Sequence, residues 1–600
     1  MKNPLEKTVE SINRQKNIVW LALNAKFPHT SLSCRYLREA CRKVADTEVL
    51  ELTINHQLLD ILGEIYEKQP AILGIACYIW NIELVKRLLR LLPKVLPHTI
   101  ILCGGPEVSY ETEKFLLEYP MVSYVVRGEG EEAVLHLMQH LLSGKSHGID
   151  FSGIAWRDTH GIHAGEVAAV SDLSLLPFPY REEEISLLSE RILYYETSRG
   201  CPFSCRYCLS CATQGVRYLP LLRVFSEIDF FVRHNVRQVK FVDRTFNAKK
   251  SHFLPILKHI LDIPDTCRTN FHFEVAIDYV DAEVCEVLGR MPEGRVQLEI
   301  GIQSTNPLTL AKVARVNDWE RIVENIQKIR SFQNMHLHVD LIIGLPEEGM
   351  DSFAKSFQEV YALKPDMLQL GFLKFLKGAA MMELVEDGEY RYMDTAPYEV
   401  LGNRWMSYGE IRWLHSFEMV FELYYNAGRC RYTMDELMVR HEDGNVFRFY
   451  QKFTDFWEQR GYHRVAHATK SLYGYLAEFA AVQYGEDLGY LDNLLRFDSL
   501  MADKGRLRPD SLHWNRERYQ AWTAKFWRGK EVLRYLPDFR FTNWRELRGS
   551  YHIEIFDYDV LQKGKKQTAV LFDFTGSRTV CMKIECPVDF LHKVLQENER

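Results

Sequence analysis

The chain has 600 residues, of which 46% are hydrophobic and 26% are charged, a composition typical of a protein whose core is divided among several domains. Its formal net charge of −7 argues against a nucleic-acid binder that depends on bulk positive charge. The start of the chain is polar and no apolar run reaches the roughly 20 residues of a membrane-spanning helix, so we expect a cytoplasmic protein with no membrane partner. A nucleic-acid partner is disfavoured, and a local basic patch is the alternative that stays open.

Residues 1–148 alternate apolar runs with amphipathic helical stretches. The apolar runs, each predicted to form a buried strand, are residues 17–25, 47–54, 71–80, 99–105 and 123–131. Buried strands separated by helices predict a doubly wound parallel sheet. Such a sheet binds ligands in the loops at the carboxyl ends of its strands.

Four of these loops have unusual composition: residues 24–30, 78–81, 104–107 and 128–131. Paired glycines let the backbone approach a large flat ligand closely, but the same spacing fits ordinary tight turns. The acidic residues of the last loop, GEGE, also suit a helix N-terminus. The sequence leaves these alternatives open.

After a connector at 149–190, residues 191–385 contain six further strand patterns separated by helical stretches. These patterns span 192–198, 238–243, 270–276, 296–304, 336–346 and 367–373. Six βα units in series predict a partial (β/α)6 barrel with its chemistry at the carboxyl ends of the strands. Residues 386–600 predict a mainly helical domain that ends in a hairpin of 551–560 with 579–586, and its aromatic residues fit either a core or a substrate cavity. The predicted fold class is therefore α/β with a helical C-terminal domain.

Four cysteines crowd the segment TSRGCPFSCRYCLSC, which follows the first strand of the predicted barrel. The other nine cysteines are scattered, as expected for small buried side chains. Structural zinc usually takes two CxxC knuckles separated by a loop, and a bacterial ferredoxin run has a different order of gaps and a second cysteine group. Both are disfavoured here, and the remaining interpretation is the pattern C-x3-C-x2-C at Cys201, Cys205 and Cys208.

That motif resembles the radical S-adenosylmethionine (SAM) enzyme family. The resemblance implies a 4Fe–4S cluster held by the three thiolates, with the fourth iron left to chelate the amino and carboxylate groups of SAM. SAM would be cleaved to methionine and a 5′-deoxyadenosyl radical. Cys211 would then be a spare thiol and not a ligand.

The later barrel strands agree with this family at positions that would contact SAM. The predicted SAM-binding residues are Tyr207, Asp243, Asn247, Glu274, Glu299, Gln303, Ser304, Ile342 and Gly344. In the family's adenine-binding motif Glu347 also matches, whereas Asp340 replaces the first glycine. The second strand lacks the G-G-E that binds the SAM amino group. For each lone carboxylate, a helix cap or salt bridge is the alternative.

A doubly wound domain ahead of such a barrel is similar to the cobalamin-binding radical SAM subfamily, in which the corrinoid rests on the strand-end loops. The resemblance assigns these loops to cobalamin through Asn24, Tyr78, Trp80, Asn81, Gly104, Gly105, Pro106, Glu107, Gly128, Glu129 and Gly130. The D-x-H-x-x-G motif that places a histidine below cobalt is incomplete, since His163 replaces its glycine after Asp158 and His160. We read this segment as a turn and expect no histidine on cobalt, with Tyr78, Trp80 or Asn81 near the lower face.

The resemblance implies a cobalamin-dependent methyltransferase that acts on an unactivated carbon of a small molecule or peptide, with flavodoxin or ferredoxin as the electron donor. A radical rearrangement, ring contraction or cyclisation with the same cofactors is the alternative. In a further alternative the first domain is only a docking module. The region after the barrel resembles a poorly characterised domain of one bacterial group of these proteins.

Overall fold

The computed structural model describes residues 17–143, 152–158, 161–212, 215–514, 519–562, 564, 566–576 and 579–585. The chain divides into two compact units, Met1–Ile411 and Arg412–Arg600. Within the described residues, every helix is too short or too polar to cross a membrane.

All five strands predicted in the first region are present and pair in parallel. They are β1 (Asn17–Asn24), β2 (Asp46–Thr53), β3 (Ile72–Ala76), β4 (Ile100–Gly104) and β5 (Val122–Val126). Their order is β2-β1-β3-β4-β5. The order reverses between β1 and β3, and a doubly wound sheet opens its ligand crevice at such a switch point.

Helices cover both faces of this sheet, which explains why its strands are continuous apolar runs. Alternate residues of β1 contact two separate core clusters, Val19, Leu21 and Leu23 on one face and Ile18, Trp20 and Ala22 on the other. The covering helices are α1 (Leu32–Cys41), α2 (Leu58–Lys68), α3 (Ile82–Leu89), α4 (Thr112–Glu118) and α5 (Glu131–Ser143), with short turns at Leu92–Val95 and Pro106–Ser109.

The first sheet has seven strands instead of the five expected. The extra strands β6 (Ile154–Asp158) and β7 (Gly161–Ala164) come from the connector and pair antiparallel beside β5. They cover the hydrogen-bonding edge that β5 would otherwise expose. Asp158 lies opposite Gly161 across the hairpin, in agreement with the predicted turn, and His163 Nε2 lies 2.9 Å from Asp158 Oδ1. His160 lies outside the described residues.

The second sheet is the predicted six-stranded, all-parallel partial barrel. Its strands, in sheet order, are β8 (Ile192–Tyr195), β9 (Gln238–Phe241), β10 (Asn270–Glu274), β11 (Val296–Gln303), β12 (His336–Ile343) and β13 (Met367–Phe372). The helices are α6 (Glu182–Leu188) in the connector, then α7 (Leu221–Arg233), α8 (Lys250–Leu261), α9 (Ala282–Gly289), α10 (Pro307–Lys312), α11 (Trp319–Ser331) and α12 (Met350–Ala362).

Buried ion pairs join the first sheet to the connector and the barrel. Arg38 of α1 donates from two nitrogens, each 2.7 Å away, to the two carboxylate oxygens of Glu184 in α6. Glu51 of β2 accepts from Arg35 at 2.9 Å and from Arg191 at 2.8 Å. Bidentate, partly desolvated pairs are geometrically specific, so they fix how the two sheets face each other.

A segment that follows the barrel, residues 390–403, which we call the strap, contacts both sheets. Tyr398 donates to Glu107 Oε2 at 2.6 Å beside the end of β4. Asn403 Nδ2 donates to the Gly344 carbonyl at 3.0 Å beside the end of β12. Within the strap, Arg391–Tyr392 pairs antiparallel with Val400–Gly402.

The second unit is mainly helical, as predicted, and is closed by a small antiparallel sheet. Its helices are α13 (Tyr408–Phe421), which begins in the first unit, α14 (Arg431–His441), α15 (Val446–Gln459), α16 (Thr469–Tyr484), α17 (Leu488–Met501), α18 (Gln520–Arg528) and α19 (Trp544–Ser550), with a π-helical turn at Glu422–Asn426. Tyr424, Tyr450 and Trp457 are fully buried, so they belong to the core.

The terminal hairpin was predicted incompletely. Strand β14 (Tyr551–Phe556) pairs with β15 (Thr568–Asp573), which in turn pairs with β16 (Val580–Ile584). The middle strand was missed, although its residues are almost all buried. A third strand gives the sheet a wider apolar face than a two-stranded hairpin would have.

Candidate active site

The three motif cysteines lie on the loop after β8 and line a cavity of about 170 Å³ at the carboxyl ends of the barrel strands. Cys205 is buried, and Cys201 and Cys208 are half-buried. Two backbone hydrogen bonds of Arg206 tether the loop. Its N–H donates to the carbonyl of Val313 at 3.0 Å, and its carbonyl accepts from the N–H of Met381 at 2.8 Å. Cys211 belongs to the short helix Leu209–Ala212, and its side chain lies outside the described part of the chain.

Arg315 is a neighbour of the cysteines that sequence reasoning missed. Its Nη1 lies 3.7 Å from Cys205 Sγ and 3.3 Å from the hydroxyl of Tyr207, and its Nη2 donates to the carbonyl of Gly301. A buried guanidinium favours negative charge on nearby sulfur. Arg315 comes from the loop after α10, far along the sequence, and has no local motif.

Two predicted SAM residues brace loops instead of lining the cavity. The buried Asp243 carboxylate accepts from the N–H of Thr197 at 2.9 Å, from its hydroxyl at 2.6 Å and from the Ser198 hydroxyl at 2.6 Å. Burial raises the pKa of Asp243 to about 6, although these hydrogen bonds oppose the rise. Asn247 bonds both backbone groups of Ala276, so it joins the ends of β9 and β10.

Glu274, Glu299 and Gln303 do line the small cavity, as does Asp340. Gln303 has a left-handed backbone, with φ of 70°, a conformation that non-glycine residues adopt at a cost. Its Oε1 is buried and has no hydrogen-bond donor among the described residues. Burial raises the pKa of Glu274 to about 7, while the charge of Arg244 opposes the rise.

Glu299 is the strongly acidic member of this wall. Its carboxylate lies 2.7 Å from Lys240 Nζ and 2.9 Å from His272 Nε2. Burial by itself would raise the pKa of Glu299, but the bond to His272 and the charge of Lys240 lower it to about 2. Glu299, His338 and Asp340 bring three metal-ligand atoms within 4.8 Å of one another, yet Lys240 already neutralises the first of these groups.

The remaining predicted SAM residues lie next to the small cavity. Ser304 is fully buried and donates to Glu348 at 2.5 Å. Gly344 has φ of 88°, and a β-carbon there would lie 2.8 Å from the Val400 side chain. Ile342 is half-buried on β12, two residues before Gly344. The strap therefore packs on the segment that resembles the adenine-binding motif.

A larger cavity of about 660 Å³ opens between the two sheets, at the carboxyl ends of the first-sheet strands. It is lined by nine residues predicted to bind cobalamin: Asn24, Tyr78, Trp80, Gly104, Gly105, Pro106, Gly128, Glu129 and Gly130. Tyr78 and Trp80 stack with ring centroids 4.5 Å apart and planes 7° apart, and Trp80 remains 45% exposed. Together they form a flat aromatic wall.

Two other residues predicted to bind cobalamin, Asn81 and Glu107, are not among the residues that line this cavity. Asn81 donates to the carbonyls of Leu23 and Ala76 and accepts from the N–H of Tyr78 at 2.8 Å. Glu107 is bonded to the strap, and burial raises its pKa. The structure places both as supports of the loops and not as lining residues.

The glycines of these loops are required by the backbone itself. Gly105 has φ of 111°, and a β-carbon there would lie 2.5 Å from the Cys77 carbonyl oxygen. The reading as a tight turn, which the sequence left open, therefore holds for Gly105. The same residue also lines the larger cavity, so the two readings are compatible.

The GEGE loop ties the first sheet to the cysteine loop. Glu129 lies 2.5 and 2.9 Å from two nitrogens of Arg217 and accepts from the N–H of Val170 at 2.6 Å. Glu131 and Glu196 both pair with Arg199, two residues before Cys201. Burial would raise the pKa of Glu129, but Arg217 and Arg199 hold it below its usual value.

The two cavities adjoin, because Ser210 and Arg244 line both of them. Arg244 follows β9 and precedes Thr245, whose hydroxyl lies 3.5 Å from Cys201 Sγ. The predicted cobalamin loops and the cysteine cavity thus meet at one arginine that the sequence did not single out.

Known families match three parts of the chain. Residues 18–138 match the B12 binding domain, residues 195–360 the Radical SAM superfamily, and residues 386–572 a protein family of unknown function, DUF4080. The chain therefore carries a B12-binding domain followed by a radical SAM domain, and the third match begins at residue 386, four residues before the strap.

Two curated relatives are methyltransferases by name. The cobalamin-dependent radical SAM methyltransferase TokK of Streptomyces tokunonensis is 26% identical over 308 residues, 48% of this chain and 44% of TokK. The 2-(S-pantetheinyl)-carbapenam-3-carboxylate methyltransferase of Streptantibioticus cattleyicolor is 27% identical over 310 residues, 47% of this chain and 44% of that enzyme. The chain thus spans less than half the length of each relative.

The fold has a solved counterpart in the cobalamin-dependent S-adenosylmethionine radical enzyme OxsB, whose structure contains aqua-cobalamin and S-adenosylmethionine. The superposition has a TM-score of 0.58 at 14% identity and covers 86% of this chain and 84% of OxsB. At this identity the likeness establishes the architecture alone.

Proposed function

We propose that this chain, which is homologous to cobalamin-dependent radical SAM methyltransferases, is itself such an enzyme and methylates an unactivated carbon. The observation that carries the proposal is the meeting of two cavities. One is lined by the three motif cysteines and the other by nine residues of the B12-binding loops, and they share part of their walls. We propose domain boundaries near residues 148, 190 and 385.

The described residues fit the proposed groups. Three thiols that line one cavity suit a 4Fe–4S cluster. The buried Gln303 Oε1, which has no donor among the described residues, suits a ligand that supplies one. When bound, the cluster and SAM would supply a deoxyadenosyl radical, and cobalamin would supply the methyl group.

In this scheme each part of the chain has a defined task. Cys201, Cys205 and Cys208 would hold the cluster, while Arg315 stabilises charge beside Cys205. Tyr207, Glu274, Glu299 and Gln303 face the small cavity and would bind SAM. Asp243 and Asn247 would fix the loops, and Ser304, Ile342 and Gly344 would shape the outer end of the SAM site.

On the cobalamin side, the chain supplies a flat aromatic wall, and the charged residues that line the cavity, apart from Arg244, are held in ion pairs. Tyr78 and Trp80 would pack on the corrinoid, because stacked aromatic rings present a rigid apolar face. The carboxylate of Glu129 is already paired with Arg217, so we assign it to holding the loop. The apolar and aromatic residues that line the larger cavity would also exclude water from reactive species.

The experiment uses anaerobically reconstituted protein purified with cobalamin present. We expect a corrinoid absorbance spectrum together with that of an iron–sulfur cluster. Incubation with SAM, a reduced flavodoxin or ferredoxin and a metabolite extract of small molecules and peptides should yield S-adenosylhomocysteine alongside 5′-deoxyadenosine. Deoxyadenosine with substrate consumption but no S-adenosylhomocysteine would favour rearrangement or cyclisation. Protein without corrinoid absorbance would favour the docking-module alternative.

A further inference from the structure

Arg244 occupies the junction of the two cavities with its backbone held on both sides. Its neighbour Asp243 is fixed by three hydrogen bonds to the residues that precede the cysteine loop. Its other neighbour, Thr245, is 6% exposed and touches Cys201. The side chain of Arg244, by contrast, is exposed. The chain therefore presents this guanidinium from a rigid base.

The guanidinium has no anionic partner among the described residues. The other arginines that line these cavities have partners. Arg199 is paired with Glu131 and Glu196. Arg315 donates to the carbonyl of Gly301 and to the hydroxyl of Tyr207. No hydrogen bond or ion pair joins the Arg244 side chain to another described residue. Its charge acts on Glu274, which also lines the small cavity, but the two side chains form no ion pair.

A guanidinium stays protonated and presents a planar fork that matches carboxylate and phosphate oxygens. The larger cavity around Arg244 is walled mainly by glycines and by aromatic and aliphatic residues, and its carboxylates, Glu129, Glu131 and Glu196, are paired with Arg217 or Arg199. Glu274, Glu299 and Asp340 also line the small cavity. Glu299 is paired with Lys240 and Asp340 with His338, so among the described residues that line both cavities Arg244 offers the guanidinium that can bind an anion.

We propose that Arg244 binds an anionic group, a carboxylate or a phosphate, of the substrate. The inference rests on the proposed function, and it narrows the substrate class to organic acids or phosphorylated compounds. An anion held at the junction leaves the rest of the substrate extending between the SAM cavity and the cobalamin cavity. Arg244 would thus select the substrate and orient it at the same time.

The test compares reconstituted wild-type protein with Arg244→Gln, Arg244→Lys and a control, Arg87→Gln. Arg87 is an exposed arginine on α3 away from both cavities. A metabolite extract is separated by anion exchange into retained acids and a neutral or cationic flow-through. The acids should stimulate formation of S-adenosylhomocysteine and deoxyadenosine in the wild type. Arg244→Gln should lose roughly 10- to 100-fold of this stimulation, Arg244→Lys less, and Arg87→Gln none.

A second readout does not depend on turnover. Phenylglyoxal, which modifies free guanidinium groups, should label Arg244, and mass spectrometry should show that the retained acids slow this labelling while the flow-through does not. The paired Arg199 and Arg315 should label slowly in either case.

Three results would overturn the inference. The first is stimulation by the flow-through alone, with Arg244→Gln as active as the wild type. The second is weaker SAM binding by Arg244→Gln, measured by titration without extract, since the anion would then be the SAM carboxylate. The third is labelling of Arg244 that the acids leave unchanged. If no fraction yields S-adenosylhomocysteine with the wild type, the proposed function itself fails.

Discussion

Replacing Glu129 with glutamine tests whether the GEGE loop clamps the B12-binding domain to the cysteine loop. The carboxylate accepts two bonds from Arg217 and one from the backbone of Val170. The Glu129 side chain is only 13% exposed and that of Arg217 is 23% exposed, so solvent screens the pair incompletely. Glutamine keeps the size of the side chain and one acceptor oxygen but removes the charge.

The expected loss in free energy of unfolding follows from these contacts. A hydrogen bond to a charged group contributes about 1.5–3 kcal/mol, and two such bonds are weakened while Arg217 keeps a backbone acceptor at Val170. We therefore expect Glu129→Gln to lower the free energy of unfolding by about 2 kcal/mol, and Arg217→Gln to do about the same. The double variant should lose less than the sum, because the Glu129–Arg217 interaction is removed in all three, while Glu129→Gln also weakens the 3.2 Å pair of Glu129 with Arg199.

The assay is urea denaturation of the three variants beside the wild type, followed by circular dichroism. Glu132→Gln is the matched control, since Glu132 is the exposed neighbour on the first turn of α5 and should change stability by less than about 0.5 kcal/mol. Additive losses in the double variant, within about 0.5 kcal/mol, would refute the clamp. A loss in Glu132→Gln equal to that in Glu129→Gln would refute it as well.

Three further predictions concern the cofactor cavities. Cys208→Ala should lose bound iron and deoxyadenosine formation, whereas Cys211→Ala should keep both, as iron analysis and chromatography of the products will show. Gly105→Ala should destabilise the protein by about 1–3 kcal/mol and weaken corrinoid binding, because a β-carbon there would meet a backbone carbonyl oxygen at 2.5 Å. Glu299 has a pKa lowered from 4.5 to about 2, so it should contribute about 3 kcal/mol of stability above pH 4.5 that is lost as the pH falls towards 2.

Each of these predictions has its own contrary result. Iron retained by Cys208→Ala but lost by Cys211→Ala would reverse the assigned ligands. Gly63→Ala on α2, where a β-carbon meets nothing within 4 Å, should be neutral or stabilising by up to about 1 kcal/mol. Equal effects of the two glycine changes would contradict the strain argument. The free energy of unfolding of Glu299→Gln should fall less steeply between pH 4.5 and pH 2 than that of the wild type. An unchanged slope would contradict the lowered pKa of Glu299.

The strands could be predicted because buried parallel strands are continuous apolar runs. The eleven strands expected in the two large sheets are all present, and the cysteine motif lies at the expected strand end. The hairpin β6–β7 was missed because its strands are short and mostly half-exposed or exposed. Its position depends on the free edge of β5, which is a tertiary feature that no local pattern encodes.

For the candidate site residues, too, the position at a strand end could be predicted from the sequence, whereas the contacts of the side chain could not. Loop residues such as Tyr78 and Gly105 line a cavity because strand ends of a parallel sheet converge there. Asp243 and Asn81 have the same kind of sequence position, yet their side chains turn inwards and bond the backbone. A short polar residue at a strand end can face a ligand or brace a loop, and sequence spacing does not distinguish the two. Arg244 and Arg315 were missed because their importance depends on neighbours distant in sequence.

The strap shows that the match to the family of unknown function begins inside the first compact unit. The match begins at residue 386, but the chain up to Ile411 belongs to the first compact unit, where Tyr398 and Asn403 bond the ends of β4 and β12. A truncated protein that stops at residue 385 would therefore lose supports of both cofactor loops, whereas one that ends at 411 would keep them. The start of the DUF4080 match therefore does not coincide with a structural boundary, because its first residues belong to the same compact unit as the B12-binding and radical SAM domains.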